Sequence, residues 1–151
     1  MTQPRDFYLD DFKPGDRFES AHGYTFTDAD IIEFAHRYDP QVFHLDVESA
    51  KQTIFGGLIA SGFQTLAATF RLVHGIGFLS HNMGGPGMDE LRWLKPVRPG
   101  DTLRAEVEIV EVVPSRSKPD RGALKYRVSA INQNGETVMT AIITSLVKRR
   151  V

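Results

Sequence analysis

Residues 38–61, YDPQVFHLDVESAKQTIFGGLIAS, place an acid and an imidazole just ahead of a Gly-containing helix start. Asp39 and His44 stand five residues apart on a turn that contains Pro40, and Gly62 follows Ser61 at the start of an apolar segment. Such side chains can exchange protons while the positive end of a helix meets a developing oxyanion. Spacing alone does not separate this arrangement from an Asp–His pair on the surface, because catalysis needs a mutual geometry that a sequence does not state.

Other chemistries find less support. His22 falls in a strand pattern and His36 in a helix pattern, where packing or surface roles are the ordinary ones. No His/Asp/Glu spacing of the HExxH kind is present, so no metal is expected. Ser61-Gly62 lacks the GxSxG elbow of a serine nucleophile. The Gly-rich run after His74, GIGFLSHNMGGPG, has no Lys-Ser/Thr and does not lead from a strand into a helix, so it offers no phosphate cradle.

The elements that must hold Asp39 and His44 follow from pattern. Residues 1–15 lack periodicity and form an arm ending in the turn signal Lys13-Pro14-Gly15-Asp16, and Arg17 to Phe26 reads as a strand. Thr27 caps a helix that runs to about Arg37 and carries Asp28 and Asp30 in its first turn; Ile31, Phe34 and Ala35 form its apolar stripe, which Tyr38 extends. Pro40 disfavours helical geometry at Asp39, which therefore sits just past a helix end, on a turn expected to lie outside the core. A short helix over Val47 to Gln52 is broken at Phe55-Gly56-Gly57, and a long one runs from about Leu58 to Val73. Its wide apolar face, Ile59, Phe63, Leu66, Ala67, Phe70 and Val73, predicts a helix enclosed by a sheet. Gly62 costs about 1 kcal/mol of helix propensity relative to Ala, so close backbone approach is expected there, by a packing neighbour or by a ligand. After a loop over 75–87, strands are predicted at Met88–Leu94, Thr102–Val113, Ala123–Asn132 and Thr137–Lys148, with Asn134-Gly135 as a hairpin turn. One strand, a long helix and a run of antiparallel strands define an α+β class in which the sheet curls around the helix.

Composition sets the limits. The 151 residues fit one domain, 1–151, and 41% hydrophobic with 25% charged residues suits a folded globular chain. A net charge of −1 gives no field for nucleic acid or an anionic membrane. The absence of cysteine removes disulfides and thiolate chemistry, which fits a reducing compartment. MTQPRDFYLDDF carries no apolar leader core, and no apolar run approaches the roughly 18 residues that span a bilayer, so a cytoplasmic location is expected.

Three residues of 38–46 fall in register with a family motif. The segment resembles the MaoC-like dehydratases and (R)-specific enoyl-CoA hydratases, whose motif runs Asp, any residue, Asn, Pro, an aliphatic residue, His, any residue, Asp. Asp39, His44 and Asp46 match, while Gln41 and Val42 stand where the family has Asn-Pro, Phe43 takes the aliphatic position, and the proline has moved to Pro40. Ile59-Ala60-Ser61-Gly62 is similar to the opening of the family's central helix, and LRWLKPVRPGDTL, Leu91 to Leu103, to its strand–turn–strand; the resemblance covers nearly the whole chain.

That resemblance implies a hot-dog fold, an antiparallel sheet wrapped around a long helix, and assembly as a homodimer or larger homo-oligomer. It implies a hydro-lyase acting on the α,β double bond of an acyl thioester such as an acyl-CoA, with Asp39 and His44 holding the water and the Gly62 N–H stabilising the thioester oxyanion. Phe43 and Ser61 would line the substrate site. No metal or redox cofactor is implied; coenzyme A or an acyl carrier arrives with the substrate. Arg116, Lys118 and Arg121, in the loop SRSKPDRG, are candidates for its phosphates, against the plainer reading of a solvated loop. Two alternatives stand beside the hydratase: a thioesterase in which Asp39 activates water against the carbonyl, and a non-catalytic acyl-binding or partner subunit.

Overall fold

The computed structural model describes residues 6–150. A short 3₁₀ turn, Leu9–Asp11, buries Leu9 and is followed by two short strands, β1 (Arg17–Glu19) and β2 (Tyr24–Thr25). Helix α1 (Asp28–Tyr38) comes next, then the one-turn helices α2 (Val42–Leu45) and α3 (Val47–Ala50), then the long helix α4 (Gly62–Ile76). Strands β3 (Gly87–Trp93), β4 (Thr102–Pro114), β5 (Arg121–Ile131) and β6 (Thr137–Lys148) complete the chain. All pairings are antiparallel, in the order β1-β4-β5-β6-β3, with β2 also on β4. This is the α+β class expected.

The strand expected over Arg17–Phe26 is two strands. Glu19 pairs with Glu106 and Tyr24 with Leu103, so five steps on one chain face three on the other and the ladder must break between them. Ser20 ends the first part: its N–H donates to Ala105 C=O, and its hydroxyl accepts from Ala105 N–H, each at 2.9 Å. Gly23 begins the second, where a Cβ would fall 2.7 Å from Thr102 Cγ2 and 3.0 Å from Leu103 O.

Helix α1 starts where its cap predicts, Thr27 Oγ1 accepting from Asp30 N–H at 3.1 Å. The long helix starts four residues later than its apolar pattern suggests, because Leu58–Ser61 is spent on extended contacts. Ile59 N–H donates to Phe43 C=O at 3.0 Å and Ala60 N–H to Val97 C=O at 2.8 Å. Its far end runs past Val73 to Ile76, and Gly77 closes it with φ of 87°, a left-handed conformation that favours glycine.

Alternate residues of the three long strands form the core. Leu103, Ala105, Val107 and Ile109 of β4, Leu124, Tyr126 and Val128 of β5, and Ala141, Ile143 and Val147 of β6 are buried on one face. Helix α4 covers that face with Ala68, Thr69 and Val73, and also with Gln64 and Thr65. The buried stripe is thus turned from the apolar one: Phe63 is 57% exposed and Ala67 is exposed. Within one chain the sheet encloses one side of the helix and leaves an apolar side open.

Candidate active site

Helix α1 ends at Tyr38, and Asp39 N–H closes it by donating to Ala35 C=O at 2.9 Å. Pro40 then turns the chain into α2, where His44 N–H donates to Gln41 C=O at 2.9 Å. This one-turn helix points His44 inward, and the residue is only 4% exposed. His44 is therefore part of the core, contrary to the expectation for this turn, while Pro40, Gln41 and Val42 remain exposed. Asp46, the last acid of the motif, caps α3: its Oδ1 accepts from Glu48 N–H at 2.9 Å and Ser49 N–H at 3.2 Å.

His44 Nε2 lies 3.3 Å from Asp39 Oδ2. The other ring nitrogen, Nδ1, lies 2.7 Å from Ile59 C=O. A carbonyl oxygen only accepts, so Nδ1 carries a proton, and Nε2 is the nitrogen free to take or give one. Ser61 completes the group. Its hydroxyl donates to Asp39 Oδ2 at 2.6 Å and accepts from Phe63 N–H at 3.2 Å, so the residue that caps α4 also grips the carboxylate.

Gln41 Nε2 donates to the other carboxylate oxygen, Asp39 Oδ1, at 2.7 Å. The residue standing where the family motif has Asn thus helps pin the acid. Burial raises the Asp39 pKa, but the hydrogen bonds from Ser61 and Gln41 and the charge of His44 outweigh it, leaving the carboxyl below its ordinary value.

These groups open onto a cavity of about 380 Å³ lined by Asp39, Gln41, Phe43, His44, Gly62 and Thr65 together with Phe55, Ile59, Trp93 and Val97. Gly62 N–H, at the first position of α4, has no acceptor among the described residues, as expected of a helix start. A Cβ on Gly62 would collide with the Trp93 indole, reaching 2.7 Å from Nε1, and that indole donates to Gly62 C=O at 2.9 Å. The close approach expected at Gly62 is therefore made by Trp93.

Asp39, His44, Phe43 and Gly62 come together on the cavity wall, whereas Ser61, expected to line the substrate site, is buried out of that lining and meets the group only through Asp39. Arg116, Lys118 and Arg121 do not join them within one chain. Trp93 pairs with Met139 near the start of β6 and Arg121 with Lys148 at its end, about 30 Å away at ~3.3 Å per residue. Arg121 is instead held by Asp120, Nε to Oδ1 at 2.8 Å. The cation that lines the cavity is Lys95, paired with Glu136. Sequence reasoning passed over Gln41, Trp93 and Lys95. The first was visible only as a departure from the motif, and the other two only as part of a strand and turn. Among the described residues, no three His, Asp or Glu side chains gather as a metal site would need, and no helix is long and apolar enough to cross a membrane.

An antiparallel sheet wrapped on one long helix, with a polar group at the helix start, is the hot-dog fold. It superposes on the MaoC-like dehydratase from Rhodospirillum rubrum with a TM-score of 0.89 at 40% identity, covering 97% of this chain and 99% of that one. Residues 11–131 match the MaoC like domain model, and the chain belongs to that family. It is 37% identical over 142 residues to the uncharacterized protein YdeM of Bacillus subtilis (strain 168), covering 93% of this chain and 99% of that protein. It is also 38% identical over 97 residues to the mesaconyl-CoA hydratase of Cereibacter sphaeroides, covering 62% of this chain but only 28% of that longer protein.

Proposed function

We propose that the protein is a hydro-lyase that adds water to, or removes it from, the α,β double bond of an acyl thioester such as an enoyl-CoA. The observation that carries this reading is that Asp39 and His44 meet beside the first residue of α4 on the wall of a largely apolar cavity, with the buried Ser61 hydroxyl bonded to the carboxylate. The thioester carbonyl would sit against Gly62 N–H, where the helix start favours the enolate-like charge. Water would lie on the cavity side of the pair, within reach of both Asp39 and His44 Nε2. As its oxygen attacks the β-carbon one of the two takes its proton, and the dyad returns a proton to the α-carbon. The apolar lining, with Phe43, Phe55 and Val97, suits the acyl chain. The reaction draws on no metal or redox cofactor, and coenzyme A or an acyl carrier comes with the substrate.

A homodimer is the working unit of this proposal. Its support is the open apolar side of α4, where Phe63, Phe34 and Tyr38 line a common depression and Tyr38 is 67% exposed, together with the free edge of β3. A second chain on that side is also the route by which Arg116, Lys118 and Arg121 would approach a site they cannot reach within one chain.

The test is a panel of enoyl-CoA thioesters followed both at the conjugated double bond and by release of free thiol. Loss of conjugation without thiol is the expected result. Thiol release with the double bond intact would identify a thioesterase. Binding without either change would leave the acyl-binding subunit.

A further inference from the structure

We infer that Trp93 is a positioning residue for this reaction, clamping the first residue of α4 so that the Gly62 N–H holds its place in the cavity wall. The inference rests on the hydro-lyase reading above for its kinetic part and on the structure alone for the clamp.

Two contacts make the clamp. The indole leaves no room for a side chain at Gly62, where a Cβ would fall 2.7 Å from Nε1 and 2.9 Å from Cδ2, and its Nε1–H donates to Gly62 C=O at 2.9 Å. Phe63 meets the same ring edge-on, with centroids 5.8 Å apart and planes at 75°. Gly62 is the most permissive residue with which to begin a helix. A clamp therefore supplies order where the residue type does not. The indole is 46% exposed yet lines the cavity, so it is both clamp and wall.

The strand that carries Trp93 is built to deliver it. From Asp89 to Arg92, β3 advances three residues while its partner β6 moves two, Ile142 to Thr140. That extra residue is a bulge, and because side chains alternate along a strand it reverses which face every later residue presents. Trp93 then pairs with Met139, a core residue, and projects on its side of the sheet. Without the bulge Arg92 would take that place. Glu90, within the bulge, has φ of 52°, the one positive value outside glycine among the described residues. Strained backbone of this kind persists where surrounding structure over-determines it, commonly beside functional sites.

Removing the indole N–H while keeping an aromatic ring should therefore cost turnover more than binding. In Trp93→Phe, kcat on an enoyl-CoA that the parent accepts should fall about tenfold or more, with KM changed less than about threefold, since a loosened donor weakens the transition state more than the bound substrate. The Gly62 amide resonance should broaden or shift relative to that of the parent, and its hydrogen exchange should speed up. Because Trp93 is the only tryptophan, saturating butyryl-CoA, which lacks the double bond and cannot be hydrated, should change the parent's emission. Gly62→Ala displaces the indole by another route and should show the same kcat loss, the double variant costing little more than either single one.

If Trp93→Phe folds and keeps the parent's kcat, or if its Gly62 amide is unmoved, the inference is overturned. The same holds if butyryl-CoA saturates the parent without changing its emission. If the parent turns over no enoyl thioester, the hydro-lyase reading fails, and the Gly62 amide in Trp93→Phe still decides whether the clamp exists.

Discussion

Ser61 Oγ stands 2.6 Å from Asp39 Oδ2, the same oxygen that faces His44 Nε2 at 3.3 Å. The hydroxyl that caps α4 therefore holds Asp39 by the carboxylate oxygen that faces His44. Because it donates to Asp39 and accepts from Phe63 N–H, it ties the carboxylate to the positive end of the helix. Two consequences are measurable, one in pH dependence and one in stability.

The carboxyl of Asp39 lies below its ordinary value although burial acts to raise it, because Ser61, Gln41 and the charge of His44 favour the anion. With a depressed folded pKa, its contribution to stability is present above the unfolded value of about 3.9 and is lost as pH falls through the folded one. Ser61→Ala removes one lowering hydrogen bond. The acid limb of the kcat/KM profile should move to higher pH, while the lost helix cap costs about 1 kcal/mol at every pH. Thr27→Ala, which removes the cap of α1 and does not touch Asp39, should cost similar stability and leave the limb in place. A limb unmoved in Ser61→Ala would show that Asp39 does not set it.

Assembly gives a second prediction. The exposed rings of Phe63 and Tyr38 and the free edge of β3 should be covered by a second chain. Sedimentation at micromolar concentration should find about twice the chain mass of 16.9 kDa. Tyr38→Asp places a charge on this surface away from the cavity lining and should shift the population to monomer. A parent that sediments only as a monomer would remove the dimer from the proposal.

How much of this was legible in the sequence depended on how local the cause was. Thr27 and Pro40 bound α1 by chemistry within a few residues, and Asn134-Gly135 turns the last hairpin with Gly135 at φ of 76°. The start of α4 was not legible, because Leu58–Ser61 is held extended by Phe43 and Val97, partners distant in sequence. The one-turn helix α2 is too short to show a period, yet it is what buries His44. The buried face of α4 was misjudged for a related reason: Gln64 and Thr65 face the sheet and Phe63 faces outward, a choice made by surroundings that a single helix pattern does not contain. For the site, the pairing of Asp39 with His44 followed from spacing and resemblance, whereas the bonds from Ser61 and Gln41 to both carboxylate oxygens required the fold. The basic loop over 115–122 drew attention by charge alone, and charge does not say which end of a sheet a loop occupies.

Gly122 offers a test of the fold that is independent of function. Early in β5, a Cβ there would lie 2.5 Å from Val113 O and 2.8 Å from Pro114 Cα, and would also strike Leu9. Two of these obstacles are backbone, which cannot swing aside. Gly122→Ala should destabilise by about 1–3 kcal/mol, the usual cost of overpacking, and lower the thermal midpoint. Gly87→Ala, with open space around its Cβ position, should change stability by only about 0.5 kcal/mol.

The sharpest prediction concerns Asp39 and His44 together. If they act as a unit around one water, Asp39→Asn and His44→Ala should each reduce hydration by about 10² to 10⁴, the range for lost acid–base assistance. The double variant should cost little more than the worse single one, because residues that share one step are strongly non-additive. Stability must be read alongside. Asp39→Asn keeps shape and deletes charge. His44→Ala removes a buried ring and leaves Ile59 C=O without its partner, so it should lose about 1–3 kcal/mol as well. Activity should therefore be measured well below each variant's own melting temperature, with circular dichroism confirming the folded state. Asp39→Asn then separates the two explanations. A folded variant with near-parental hydration would mean that the carboxylate only props the turn against Ser61 and Gln41, and a loss of 10² or more in a protein that melts near the parent would place the charge of Asp39 in the chemical step.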